Sequence, residues 1–141
     1  MRFFQQKKNY SRVCNMKIEE LRIGNYVLFD NKICVVIRIN PPYVDLLGDG
    51  YKTKMCEIYK DCIKPIVIDI DWLIKCGFEK SEFSDKIYIL SADNISAIYN
   101  LESCVVDIKK YCIVTSIEVT ELHQLQNACQ LVTNEELNVN L

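Results

Sequence analysis

The chain has 141 residues, half of them hydrophobic and 26% charged, which is ordinary usage for a globular protein of one or two small domains. Its formal net charge is only -2. No segment approaches the roughly 20 apolar residues of a membrane-spanning helix. The first residues also lack the apolar stretch of a signal peptide. The sequence therefore argues against a membrane protein and predicts a protein of the cytoplasm.

Residues 1–15 differ in composition from the rest of the chain. They contain no acidic residue and four basic ones, Arg2, Lys7, Lys8 and Arg12. We expect this leader to be disordered, or Met16 to be the true start of translation. The alternative is a basic arm with interleaved aromatic residues that binds a nucleic-acid backbone. Residues 16–141 carry a net charge of -6, which does not indicate a nucleic-acid surface.

Residues 16–68 alternate short strand-forming runs with turn residues. Strands are expected at 26–29, 33–37, 43–47, 51–57 and 63–68. Asp30-Asn31-Lys32 forms a hairpin turn, and Asn40-Pro41-Pro42 ends the second strand because proline lacks a backbone N–H. Gly48-Asp49-Gly50 reads as another turn. Five strands in so short a stretch predict an N-terminal small SH3-like barrel.

Residues 69–141 predict a short helix, a second β-meander and a C-terminal helix. Asp69 is expected to cap the short helix, Gly77 to end it, and Trp72 with Phe78 to pack in the core. Strands are expected at 86–90, 95–99, 103–108 and 111–119, with turns at Asp93-Asn94 and Lys109-Lys110. The fold class is therefore α+β and mainly antiparallel β. We expect one core with residues 16–68, because no linker separates the two parts.

The C-terminal helix is the clearest element of the pattern. Thr120 is the expected N-cap and Asn134 the left-handed stop, while Leu122, Leu125, Cys129 and Val132 share one face. The opposite face is polar but uncharged, which is unusual for an exposed helix, and it consists of His123, Gln124, Gln126, Asn127 and Gln130. It is either a surface that binds a protein partner or a set of amides that hold neighbouring loops.

Catalytic and metal-binding patterns are weak. His123 is the only histidine, no local Cys–His signature accompanies it, and helix capping explains Asp69 and Asp71. The eight cysteines are expected to remain thiols in a reducing compartment, and no pair has zinc-knuckle spacing; they are Cys14, Cys34, Cys56, Cys62, Cys76, Cys104, Cys112 and Cys129. The sequence predicts no enzyme, no metal site and no cofactor.

Three segments carry a resemblance to a known group of proteins. They are LRIGNYV from Leu21, WLIKCGFEK from Trp72, and LHQLQN with LVTNEEL near the C-terminus. In this order they resemble a group of short proteins of Bacteroides-type gut bacteria, their prophages and their phages, over residues 16–138. The chain departs from the group in having Asn134 where glycine is expected, and asparagine is the next best residue for a left-handed stop. The resemblance implies a bacterial host cell but no particular activity.

These observations leave three hypotheses of different classes. The first is a non-enzymatic, protein-binding accessory factor of a phage or mobile element, which modulates or inhibits host machinery such as a defence system. The second is a small-barrel nucleic-acid-binding protein that uses Tyr26, Tyr43 and Tyr51, together with the basic arm. The third is a Cys-dependent enzyme, which the pattern favours least. A virion component is a further alternative to the first hypothesis.

Overall fold

The computed structural model describes residues 16–48, 52–92 and 95–141. Within them, the chain is mainly antiparallel β-sheet with one short helix and one C-terminal helix, so the predicted α+β class is confirmed. It forms two compact units that divide between Val67 and Ile68. The basic leader, the Asp49-Gly50-Tyr51 segment and the predicted Asp93-Asn94 turn lie outside the described residues. Fusion of the two units into one core stays a prediction.

The first unit contains a five-stranded antiparallel sheet. Its strands are β1 (Tyr26–Phe29), β2 (Lys32–Asn40), β3 (Tyr43–Gly48), β4 (Thr53–Tyr59) and β5 (Ile63–Lys64). They lie in the order β4-β3-β2-β1-β5, so β4 and β5 are the two edges. A 3-10 turn at Ile18–Glu20 precedes β1, and a second at Lys60–Cys62 connects β4 to β5. Closure of the sheet into an SH3-like barrel stays a prediction.

The turn chemistry of the first unit follows the sequence closely. Asp30 and Asn31 both have positive φ, 53° and 60°, which is the backbone that a two-residue hairpin between right-twisted strands requires. Strand β2 ends at Asn40, before the two prolines, as predicted. Strand β5 is shorter than predicted and ends at Lys64, because Pro65 has no N–H to continue the ladder.

A buried carboxylate shapes the pairing of β3 with β4. The side chain of Asp45 accepts the backbone N–H of Glu57 at 2.9 Å, and Glu57 has a positive φ of 56°. The register shifts at this point, between Val44 and Leu46 on β3. Asp45 therefore stabilises a β-bulge in an edge strand, which is a structural role.

The second unit contains the other five-stranded antiparallel sheet and both described α-helices. Its elements are α1 (Ile70–Lys75), β6 (Glu79–Lys80), β7 (Ile87–Ser91), β8 (Ser96–Asn100), β9 (Val105–Lys110), β10 (Ile113–Glu118) and α2 (Leu122–Thr133). The strand order is β10-β9-β8-β7-β6, a simple meander with β10 and β6 at the edges. Strand β6 was missed by the sequence pattern because it is only two residues long.

Helix α1 is capped as predicted but presents its tryptophan differently. The Asp69 side chain accepts the N–H of Trp72 at 2.9 Å, and Gly77 has a φ of 90° just beyond the helix end. Phe78 is buried, which confirms its assignment to the core. Trp72 is only half-buried, and the Lys75 ammonium lies 4.5 Å from the centroid of its ring. The prediction of Trp72 as a core residue was therefore wrong.

The turn predicted at Lys109-Lys110 was also wrong. Both lysines belong to β9, and the chain reverses at Tyr111 and Cys112. Val106 and Ile108 must both face the core, and this alternation carries the strand on to Lys110, which pairs with Ile113. Charge alone does not mark a turn when a lysine can extend from a strand into water.

One face of the second sheet is buried, and we call it the inner face. Its side chains alternate with exposed ones along three strands, and they are Tyr88, Leu90, Ala97, Tyr99, Val106 and Ile108. Helix α2 packs against β9. The hydroxyl of the buried Tyr99 donates to the carbonyl of Val119 at 2.8 Å and so ties the chain after β10 to the middle of the sheet.

We expect Tyr99→Phe to lower the free energy of unfolding by about 1–2 kcal/mol, because the carbonyl of Val119 would lose its buried donor. Tyr111→Phe is the matched control, since Tyr111 is 85% exposed and should change stability little. Urea unfolding followed by circular dichroism measures both variants. Equal stability of the two variants would contradict a structural role for the Tyr99 hydroxyl.

Neither helix of the described residues combines the length and the apolar character that crossing a bilayer requires.

Candidate functional site

Helix α2 begins one residue later than the sequence indicated. Its N-cap is Glu121, and Gln124 completes a capping box in which its side-chain oxygen accepts the backbone N–H of Glu121 at 3.1 Å. The same oxygen accepts the N–H of Thr120 at 2.9 Å, so Thr120 is held by the cap and does not form it. Asn134 has a φ of 61°, which confirms the predicted left-handed stop.

The polar side chains of α2 do not form one exposed face. His123 and Gln126 are buried, whereas Gln124, Asn127 and Gln130 are partly exposed to solvent. The predicted partner-binding role therefore needs correction for His123 and Gln126, which offer almost no surface to a partner. Gln124 has the alternative role, because its amide oxygen holds backbone N–H groups at the helix start. The role of Asn127 and Gln130 stays a prediction.

The spacing of apolar residues in α2 predicted the wrong burial because an amphipathic pattern assumes one buried face and one solvent-exposed face. In α2 burial extends around most of the helix, and the exposed side chain within its span is Leu131. No periodicity in the sequence distinguishes a buried glutamine from a solvated one.

The face of the second sheet opposite the inner face is exposed, and we call it the outer face. Its central row runs across all five strands from Glu79 through Ile89, Ile98 and Asp107 to Ser116, each a direct cross-strand neighbour of the next. Ile98 is 42% exposed, and Ile89 is similarly exposed beside it. Two adjacent isoleucines thus lie in the middle of a solvent-facing sheet, with a carboxylate on either side.

Two further rows frame this centre. One contains Ile87, Asn100, Val105 and Glu118, and the other contains Ser91, Ser96, Lys109 and Val114. The Ser116 hydroxyl donates to Asp107 at 2.5 Å, which fixes that carboxylate at the edge of the apolar centre. The outer face therefore has two isoleucines in its middle and a mixed border, in which the charged residues are mainly acidic.

The sequence pattern did not predict the outer face as an exposed surface. Along β7 the residues Ile87, Tyr88, Ile89 and Leu90 are all apolar, so alternation does not reveal which of them faces water. A weak signal was present in the short strand lengths and in the serines of β7 and β8, which suit a solvated face.

Charge is divided unequally between the two units. Residues 68–141 contain twelve acidic and five basic residues, whereas residues 1–67 contain twelve basic and seven acidic ones. The near-neutral total of the whole chain conceals this asymmetry. The acidic excess of the second unit is spread along its sequence, whereas four of the twelve basic residues of the first unit lie in residues 1–15, and residues 16–67 contain eight basic and seven acidic residues.

The first unit presents an exposed aromatic pair. Tyr43 and Tyr59 are direct neighbours across β3 and β4, each 41% exposed, and their ring centroids lie 5.9 Å apart in an edge-to-face arrangement. Of the tyrosines proposed for nucleic-acid binding, Tyr43 is thus exposed, Tyr26 is half-buried and Tyr51 lies outside the described residues. Tyr59 was not among the sequence candidates.

The buried thiols of the second unit are poorly suited to nucleophilic chemistry. Cys76 lines a cleft of about 430 Å³ together with Leu90 and Glu135. Burial, reinforced by the nearby Cys129, raises its pKa from 9.0 to about 12, so the sulfur stays protonated at neutral pH. Burial raises the pKa of the Cys129 thiol to about 12 as well. The cleft therefore lacks an activated sulfur.

No family model matches the chain, and no significant match was found among curated proteins or solved structures.

We expect the free energy of unfolding to fall as the pH rises from about 9 towards 12. In this range the unfolded chain loses the protons of Cys76 and Cys129, whereas the folded chain retains them. Because the pKa of each thiol is higher in the folded than in the unfolded chain, the stability linked to its proton is fully present below about pH 9. Above that pH, the free energy of unfolding falls by about 1.4 kcal/mol per pH unit for each thiol. Urea unfolding at several pH values measures the slope.

Cys129→Ala should reduce this alkaline slope, and Cys112→Ala is the control because Cys112 is exposed. An unchanged slope in Cys129→Ala would show that its thiol does not carry the effect.

Proposed function

We propose that the protein is a non-enzymatic binding factor whose second unit binds a partner protein through the outer face. The observation that carries this proposal is the adjacent pair Ile89 and Ile98, exposed at the centre of the outer face and bordered by Glu79 and Asp107. An apolar centre with a polar border is the usual anatomy of a protein–protein interface.

The border defines the chemistry of the partner. Glu79, Asp107 and Glu118 outnumber the one lysine of the outer face, Lys109, on a unit with a strong acidic excess. A partner that presents an apolar patch surrounded by Lys and Arg would complement both the acidic residues of the border and the apolar centre. A phosphate backbone would be repelled by the same surface, so a nucleic acid is a poor partner for the second unit.

The resemblance to proteins of Bacteroides-type bacteria and their phages extends the proposal to a biological setting. It supports an accessory factor of a phage or mobile element that modulates or inhibits host machinery, such as a defence system. A virion component is the alternative in the same setting, and there the partner would be another structural protein of the particle.

We expect Ile98→Lys to abolish capture of the partner from a lysate of a Bacteroides-type host, because a charge would replace the apolar centre and face a basic surface. Leu131→Lys is the matched control, since Leu131 is also exposed and apolar but lies on α2. Affinity purification of tagged full-length chains, followed by quantitative mass spectrometry, measures the difference. Rising salt should weaken binding of the wild type, because the border contacts are electrostatic.

Two results would overturn the proposal. One is a partner retained equally by Ile98→Lys and the wild type, and the other is a partner lost equally by both lysine variants. Circular dichroism of each variant ensures that the comparison is made between folded proteins.

A second candidate function is favoured by a specific observation in the first unit. Tyr43 and Tyr59 offer two exposed rings, and residues 1–67 contain an excess of basic residues, including Arg2, Lys7, Lys8 and Arg12 of the leader. Exposed rings on a unit with a basic excess suit single-stranded nucleic acid, because bases stack on the rings while phosphates pair with cations.

We expect Tyr43→Ala combined with Tyr59→Ala to weaken binding of a fluorescent single-stranded oligonucleotide by about tenfold or more, as the loss of base stacking implies. Fluorescence anisotropy at low salt measures the affinity, and Tyr111→Ala is the control because that exposed ring lies in the second unit. A wild type that does not bind at low salt would remove this candidate.

A further inference from the structure

The four edges of the two described sheets differ in how they are protected. Strands β5 and β6 are only two residues long. Strand β4 is longer, but it carries Lys54 and Glu57 and is distorted by the bulge at Glu57. Short length, charge and bulges are the devices by which proteins prevent sheet edges from pairing with other chains.

Strand β10 has none of these protections along most of its length. It pairs with β9 over six consecutive positions, from Ile113 to Glu118, without a register shift. The run Ile-Val-Thr-Ser-Ile contains no charge, no proline and no glycine. In the part of the chain that the structure describes, β10 pairs on one side only.

The backbone groups at this edge are directed away from β9 at alternate residues. Lys110 and Ile113 close a two-residue hairpin and so exchange hydrogen bonds with each other. Hydrogen-bonded pairs alternate along an antiparallel ladder, so the N–H and C=O groups of Val114, Ser116 and Glu118 point outward. All three side chains are exposed.

Apolar side chains are also concentrated at the start of β10. Ile113 is 69% exposed and Val114 is 58% exposed. Tyr111, at the tip of the hairpin, has a φ of 57°, a conformation that costs an aromatic residue more than glycine or asparagine. A strained, exposed tyrosine beside two exposed aliphatic residues is unusual for a surface that remains in water.

We propose that β10 pairs with β10 of a second copy of this chain, antiparallel and centred on Ser116, so that the two outer faces join into one ten-stranded sheet. This register pairs residues whose backbone groups both point outward, as an antiparallel ladder requires. Ser116 then faces Ser116 of the second copy, and Val114 faces Glu118. On the other face of the sheet, Thr115 lies opposite Ile117.

Charge favours a second copy over an unrelated strand. Lys109 neighbours Val114 on the outer face, and Glu118 is at the opposite end of β10. In the antiparallel dimer, Glu118 of each chain lies beside Val114 of the other and within reach of Lys109, so two opposite-charge contacts form by symmetry. A parallel pairing of the same two edges would turn the outer face of one copy to the opposite side of the sheet, so these contacts would not form.

This inference does not require the proposed function, because it uses the edge of the sheet and the outer-face residues next to that edge, and not the isoleucine pair. It has a consequence for that face, however. Dimerisation would double the exposed apolar area on one continuous surface and give a partner two equivalent binding sites.

The test is sedimentation equilibrium of the full chain over a range of concentrations. The wild type should approach twice the chain mass of 16.4 kDa as concentration rises. Ser116→Lys should weaken the dimer by about tenfold or more, because it places two like charges opposite each other on the symmetry axis. Ser91→Lys is the matched control. Ser91 is also exposed on the outer face, but it lies on β7, which is not an edge strand, so the variant should leave the dimer intact.

A charge exchange tests the register itself. Ser116→Glu should weaken the homodimer as well, but a mixture of Ser116→Lys and Ser116→Glu should form a heterodimer, because opposite charges then meet across the axis. Ser116→Ala, which removes only the hydroxyl bond to Asp107, should still dimerise. A wild type that stays monomeric at every concentration, or a mixture that stays monomeric, would overturn the proposal.

Discussion

The register of β8 against β9 determines which side chains the second unit buries and which it presents. Because neighbouring residues of a strand point to opposite faces, the pairing of Tyr99 with Val106 sends those two side chains inward and sends Ile98 and Asp107 outward. A slip by one residue would expose Tyr99 and break its bond to Val119. Burial of Tyr99 and its hydrogen bond thus stabilise the register that exposes the side chains of the outer face.

The deepest thiols and the histidine of the described residues are poorly placed for nucleophilic chemistry. The thiols that lie deepest have raised pKa values, and the single histidine is buried within α2. A catalytic thiol needs a lowered pKa and access to substrate. The surfaces on which the proposals rest are an apolar sheet face, an unprotected strand edge and an aromatic pair, and all three are exposed.

Charge is distributed unevenly between the two units. The second unit has an acidic excess, and the basic excess of residues 1–67 comes mainly from the leader. The two candidate functions rest on different residues, Ile98 in the second unit and the pair Tyr43 and Tyr59 in the first, so variants of one unit test each candidate separately. The open edge of β10 adds a third surface, which is compatible with either candidate because it involves neither the isoleucine pair nor the tyrosines of the first unit.

Much of the fold was predictable from local sequence. Positive φ at Asp30 and Asn31, the cap at Asp69 and the stop at Asn134 follow from residue types that tolerate those conformations, and the strands near them were predicted within a few residues. Local patterns failed where burial depended on distant parts of the chain. Trp72, the lysines of β9 and the polar face of α2 are the examples.

The sequence by itself determined the α+β class, the hairpin turn at Asp30-Asn31 and the end of the second strand at Asn40, because these depend on backbone preferences within a few residues. Only the tertiary structure decided which of several apolar residues face water. Ile89 and Leu90 are chemically alike, yet one is exposed and the other buried. Their environments depend on strands and a helix from elsewhere in the chain, and no local pattern contains that information.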